Sequence, residues 1–217
     1  MFQFPKQAEF NRALPKSKIY AFAKPTRAVK DRFVSGIQEI VWKYKLAPET
    51  VNLPARHGIQ EIQVFEITLK TEELSEDVLH AIDKAIPSPI VYQLIFGNRI
   101  RFSAAYKRPS EADASKNVIE AFFTTDWQPI GKPLPALPVV LDLAALYEAM
   151  VRRVMPVPQR PGESLPAQVE RTVQLRAKQR EFEELQTRLR KERQFNRKVE
   201  INAALRAAKT HLEKLAA

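Results

Sequence analysis

Along the first two thirds of the chain, apolar residues recur in two periods, and the change between them marks out the elements. After Thr26, a residue type suited to capping, Val29, Phe33, Ile37, Ile40, Val41 and Tyr44 recur at helical spacing. They predict a helix from residue 26 to about 46, with Trp42 and Lys43 near its end. Before it, KIYAFA (residues 18–23) predicts a short strand; after it, APETVNLP predicts a turn with at most one short strand. In the stretch GIQEIQVFEITLK the period becomes two: Phe65, Ile67 and Leu69 share one face, Ile62, Val64, Glu66 and Thr68 the other. Both faces carry apolar residues, so this strand, over 59–70, is either central or bulged near Val64 and Phe65.

Ser75, followed by Glu76 and Asp77, opens a second helix whose stripe is Val78, Leu79, Ile82 and Ile86, and Pro87 stops it. IVYQLIF (90–96) and RIRFSAAYK (99–107) form a hairpin across Gly97 and Asn98, residues that tolerate positive φ. A polar loop over 108–116 leads to a third meander strand, NVIEAFFTTDW (117–127). Asp142 caps a helix that faces the core with Leu143, Leu146, Met150 and Val154. The predicted order α-β-α-β-β-β-α makes an α+β domain with a mainly antiparallel sheet over residues 1–154. A proline-rich linker over 155–166 follows.

From residue 167 to the end there is neither Pro nor Gly, and helix formers dominate. Leu175, Phe182, Leu185 and Leu189 form one apolar stripe; Ile201, Leu205, Ala208, Leu212 and Leu215 form a second. Both have the spacing of coiled-coil seams. Phe182, Leu185 and Leu189 map onto Leu205, Ala208 and Leu212 by a shift of 23 residues. On a straight helix that shift rotates one stripe by roughly 140° from the other. Either the chain breaks near residues 193–198, with Asn196 as turn residue, or one helix meets different partners on its two faces. Exposed, these stripes invite association. Leu185, Leu189, Leu205 and Leu212 are the candidate protein-docking residues; the alternatives are folding back on the chain's own domain and self-association.

Charge sharpens this division. The formal net charge is +10 over 217 residues, yet residues 35–166 hold fourteen Lys/Arg against sixteen acids. Residues 1–34 hold eight against two, and residues 167–217 thirteen against seven, so both ends are basic. Basic ends suit nucleic acid or an acidic partner as well as plain solubility. Arg188, Arg190, Lys191, Arg193, Arg197 and Lys198 crowd RLRKERQFNRK and are the candidate phosphate contacts, unless they are simply a solvated helix face. The N-terminal Phe2, Phe4, Lys6, Phe10, Arg12, Lys16, Lys18, Tyr20 and Phe22 show a similar mixture. Their alternative role is an aromatic segment laid across the sheet.

Little in the sequence specifies a chemistry. Cys is absent, which removes disulfides and thiolate nucleophiles. The five glycines form no phosphate-cradling motif. His57, His80 and His211 lie far apart; only His57 and Glu61 are near enough to meet. Ser103, Thr124 and Thr125 have no base beside them in sequence. No cofactor or metal ligand is therefore assigned. The sharpest catalytic alternative is a metal-dependent nuclease using Glu39, Glu66 and Lys70, but Thr68 stands where the familiar pattern has its lysine. The bland reading of Glu66 is a strand carboxylate neutralised by a neighbour such as Arg99, Arg101 or Lys107. With no leader and no long apolar run visible, a soluble cytoplasmic protein is expected.

The ordered set FPKQAEFNRALPKSKIY, VWKYKLAPETVNL, IQVFEITLK, VLHAIDKAIPSPIVYQL, SAAYK and FFTTDW resembles the bacterial domain-of-unknown-function family 4391 over about residues 1–154. RQFNRKVEINAALR resembles the ending such proteins carry. The resemblance implies an accessory protein of restriction-modification or anti-phage cassettes, encoded beside a helicase and a DNA methyltransferase, with no catalytic residues to carry over. Together these readings describe a non-catalytic adaptor that docks a helicase, a methyltransferase or a second copy of itself through its tail, with DNA near its basic ends; the alternatives are the nuclease above and a stand-alone nucleic-acid-binding protein.

Overall fold

The computed structural model describes residues 1–109 and 117–216. They form two compact units, Met1–Pro156 and Val157–Ala217.

The first unit is built on one sheet, with helices packed on it. After a short 3₁₀ turn at Lys6–Ala8 come β1 (Glu9–Ala13), α1 (Lys16–Ala23), α2 (Arg27–Gly36), β2 (Ile37–Leu46) and the single turn α3 (Pro48–Val51). Then follow β3 (Ile62–Leu69), α4 (Glu76–Ala85), β4 (Ile90–Phe96), β5 (Arg99–Pro109), β6 (Asn117–Thr124), β7 (Gln128–Pro129) and α5 (Leu143–Val154). The strands lie in the order β1-β2-β3-β4-β5-β6, with β7 also paired to β5. Among the described strands only β3 and β4 run parallel, and α4 makes the crossover that a parallel pair needs. The mainly antiparallel α+β fold read from the sequence is therefore present, and β3 is central, between β2 and β4.

Several elements differ from the sequence reading. The long helix predicted over 26–46 ends at Gly36; Ile37 starts β2, so Trp42 and Lys43 lie on a strand. Two register shifts on β2, between Ile37 and Glu39 and between Trp42 and Tyr44, insert extra residues opposite β3. Those bulges break the period of two and leave apolar spacings that imitate a helix. The bulge expected near Val64 and Phe65 is thus on the strand that faces them. KIYAFA is helical within α1, with Ile19 and Ala23 buried four residues apart on one face, and APETVNLP holds the helical turn α3. β1 and β7 were not foreseen, and β3 begins at Ile62, after a turn at His57 and Gly58 with positive φ at both.

The helix caps at Thr26 and Asp142 and the hairpin at Gly97 stand. Thr26 caps α2, accepting the Val29 amide at 3.4 Å, and Asp142 caps α5, accepting the Ala145 amide at 2.8 Å. Ser75 occupies the cap position of α4, but its hydroxyl makes no capping bond. Gly97, at φ +57°, turns β4 into β5. Of the loop expected over 108–116, Arg108 and Pro109 extend β5 and the remainder lies outside the described residues. One face of the sheet supplies Phe65, Ile67, Tyr92 and Leu94 to a core shared with Phe33, Val78 and Ile82. α5 packs on β5 and β6 and buries Leu146, Met150 and Val154. The N-terminal aromatics belong mostly to this fold: Phe10 stacks on Trp42 at 4.1 Å between centroids and Phe4 on Tyr44 at 4.9 Å, while Phe22 stays 74% exposed.

Candidate nucleic-acid and partner interface

The second unit is a helical hairpin. Ser164 opens α6 (Leu165–Lys191) by accepting the Ala167 amide at 3.4 Å, with Pro166 in the first turn, where no amide is needed. α7 (Phe195–Ala216) follows after three residues and packs back on α6. The break lies at Glu192, Arg193 and Gln194, just before the expected 193–198 segment is complete, and Asn196 is helical rather than the turn residue. No glycine is required because a carboxylate organises the turn: Glu192 Oε1 accepts the amides of Arg193 at 2.8 Å and Gln194 at 2.9 Å. These donors, Gln194 first, hold the Glu192 carboxyl below its ordinary pKa, helped by the nearby charges of Arg197 and Lys198.

At the other end, Arg171 fastens the hairpin to residues 157–164. Its guanidinium pairs with Glu163 through two bonds at 2.7 and 2.8 Å and donates to the carbonyls of Pro158 at 2.8 Å and Leu215 at 2.9 Å. The bond from Arg171 holds the Glu163 carboxyl down at about 2.

Folding α6 against α7 removes the problem of two stripes out of register, because each helix contributes its own. Ile201 and Ala208 are buried; Leu175, Phe182, Leu185, Leu189, Leu205, Leu212 and Leu215 are half-buried. Two shallow apolar grooves meet at Phe182. One, of about 480 Å³, is lined by Phe182, Val199, Asn202, Leu205, Arg206 and Lys209. The other, of about 510 Å³, is lined chiefly by Leu175, Phe182 and Leu212 with Glu183 and Glu213 on its rim. Leu205 and Leu212 thus line open grooves.

The turn also gathers charge. Arg188, Arg190 and Lys191 end α6, while Arg193, Arg197 and Lys198 stand in the turn and the first turn of α7. All six are exposed, and none is held in an ion pair among the described residues. A run of residues in one dimension has become a single cationic tip, with Phe195 (78% exposed) at its centre.

On the sheet, Glu66 pairs with Lys43 at 3.4 Å, the residue placed by the β2 bulge. Arg99, Arg101 and Lys107 are not its partners: Arg99 pairs with Glu72 at 3.0 Å, Arg101 lies over the Trp127 ring at 4.5 Å, and Lys107 pairs with Asp83 at 2.7 Å. Glu61 precedes β3 and pairs with Lys45 at 3.2 Å while accepting the Ser88 hydroxyl at 3.1 Å. Glu39 stands opposite Thr68 and shares the Glu66 face of the sheet, two pairs along. Lys70 lies beyond β3, where its Nζ donates to the Val34 carbonyl at 2.8 Å. His57 comes near Asp142, at 3.9 Å, rather than Glu61. Among the described residues no three His, Asp or Glu side chains are grouped to hold a metal. No described helix is long and apolar enough to cross a membrane.

Sequence comparison over the whole chain matches the family described as a domain of unknown function, DUF4391, across residues 2–212. The chain belongs to this family. The match extends beyond the 1–154 span of the motifs above and takes in α6 and most of α7, so the hairpin is part of the family pattern. No curated protein and no solved structure matches the chain.

The buried pair between Asp83 and Lys107 was missed in the sequence. Their side chains are 0% and 4% exposed, and Tyr92 donates to the other Asp83 oxygen at 2.6 Å. One signal was available: Asp83 lies four residues after Leu79, inside the apolar stripe of α4.

Proposed function

We propose that this DUF4391 protein is a non-catalytic accessory subunit of a bacterial DNA restriction-modification or anti-phage assembly. The hairpin docks a helicase, a methyltransferase or a second copy through its apolar grooves, and the cationic tip holds the DNA backbone. The observation that carries the reading is the tip: six exposed Arg and Lys side chains, without ion pairs among the described residues, brought together by the turn at Glu192. Such a cluster repels itself in the free protein, and a polyanion relieves that repulsion by displacing its own counterions. The grooves support the docking role, since half-buried leucines gain from exclusion of water by a partner surface.

Duplex binding by the full-length protein tests the tip. Replacing Arg193, Arg197 and Lys198 by Gln is expected to weaken binding and to reduce the slope of log K against log salt by about 3. An unchanged slope removes the tip from the DNA contact. Co-purification from the native host tests docking: a Leu205→Glu, Leu212→Glu variant of unchanged helicity is expected to lose its partners. Equal retrieval by this variant and the parent protein would refute the adaptor role.

A further inference from the structure

We propose that one face of α7 is a track for single-stranded nucleic acid, with Phe195 as the platform on which an unpaired base stacks; this rests on the DNA reading of the tip. Phe195, Val199, Asn202, Arg206 and Lys209 are spaced four, three, four and three apart and therefore lie on one helix face, flanked by Lys198 and Leu205. The strip is about 21 Å long at the rise of an α-helix. Its first two apolar residues are in water, Phe195 at 78% and Val199 at 49% exposure. Beyond them the strip ends on Arg206 and Lys209, at the edge of the docking groove that Val199, Leu205 and Phe182 also line.

Three properties favour a single strand. Phosphate contacts alone satisfy a duplex and need no aromatic, whereas a base freed from its partner offers a ring face to Phe195. Cations recur along the strip at Lys198, Arg206 and Lys209, about 12 and about 4.5 Å apart along the helix axis, a span that covers a few phosphates of one strand. No acid interrupts it between Phe195 and Lys209: Glu200 lies on the other side of α7, and Glu192 is engaged by the turn amides. Among the described residues Arg206 donates only to the Asn202 carbonyl of its own helix, at 3.4 Å, and no carboxylate there neutralises its charge.

Fluorescence anisotropy of the full-length protein with a labelled oligothymidylate and with a duplex of equal length is the test. The single strand is expected to bind more tightly. Phe195→Ala should weaken it about 5- to 100-fold with an unchanged salt slope, and Phe195→Trp should restore it. Arg206→Gln with Lys209→Gln should lower the salt slope by about 1 to 2. Circular dichroism establishes that each variant keeps its helices. Equal affinity for both nucleic acids, or loss of duplex and single-strand binding by the same factor in Phe195→Ala, overturns the track but leaves the cationic tip. Failure to bind either overturns both. If Phe195→Ala instead releases a co-purifying protein with nucleic-acid affinity intact, the strip is a protein surface and the track is wrong.

Discussion

Removing the ammonium of Lys107 tests the charge placed deepest in the sheet domain. In the native protein Asp83 is held by Lys107 at 2.7 Å and by the Tyr92 hydroxyl at 2.6 Å. Lys107 in turn donates to the carbonyls of Ser88 at 3.0 Å and Ile86 at 3.4 Å, tying β5 to the segment that follows α4. Burial still pushes the Asp83 carboxyl above its ordinary pKa, with Lys107 and Tyr92 opposing that shift. Lys107→Met keeps most of the packed stem but strands a carboxylate in the core and leaves two carbonyls short of a donor. The expected loss is about 3–5 kcal/mol, the usual cost of breaking a buried pair from one side. For a domain of this size that lowers the melting temperature by about 6–20 °C. A double variant, Asp83→Leu with Lys107→Met, removes both charges and should return to within about 2 kcal/mol of the parent, the remainder reflecting the Ile86 and Ser88 carbonyls without their donor and a Tyr92 hydroxyl left with the Leu79 carbonyl at 3.4 Å.

The pH dependence has a definite sign. A carboxyl whose folded pKa is raised contributes most favourably below its unfolded value and loses that contribution as pH rises through the folded pKa. Without Lys107 the Asp83 carboxyl rises further, so the deficit of Lys107→Met should be smaller at about pH 5 than at about pH 8. Urea unfolding of the parent, single and double variants at both pH values measures all of this. A single variant that loses less than about 1 kcal/mol, or a double variant as unstable as the single, would refute the claim that the pair is an interdependent buried unit.

Glu163→Gln should destabilise the hairpin unit by about 2 kcal/mol, because Arg171 keeps its two carbonyl acceptors but loses its counter-charge in a site where it is 6% exposed. The native Glu163 carboxyl is depressed to about 2 from 4.5, so its contribution is present above 4.5 and is lost as pH falls from there toward about 2. Urea unfolding across that window should show the loss in the parent and not in the variant. Incubation with plasmid DNA and Mg²⁺ or Mn²⁺ is expected to give no cleavage. Cleavage that disappears in Glu66→Gln would assign Glu66 a catalytic part that its ion pair with Lys43 does not suggest.

The elements most legible in the sequence were those with a local chemical signature. Thr26 and Asp142 cap helices because short oxygen-bearing side chains reach the free amides of the first turn. Gly97 turns a hairpin because it accepts positive φ. The alternation in β3 announced a strand covered on both faces. β2 was not legible, because its bulges answer to a neighbouring strand and make its apolar spacing helical. The hairpin was half legible: the stripes and their offset of roughly 140° showed that one straight seam was impossible. The turn itself was hidden, since it relies on Glu192 instead of a residue type that marks turns.

By itself, then, the sequence determined which residues leave water, where helices are capped, and that the basic residues concentrate at both ends. The tertiary structure decided who meets whom: Glu66 takes Lys43, Lys107 takes Asp83, and six scattered cations converge at one tip. The physical reason is that solvation preference and local backbone bias are properties of single residues and short windows. Pairing energies depend on distances set by bulges and turns, and those are fixed only when distant segments pack together.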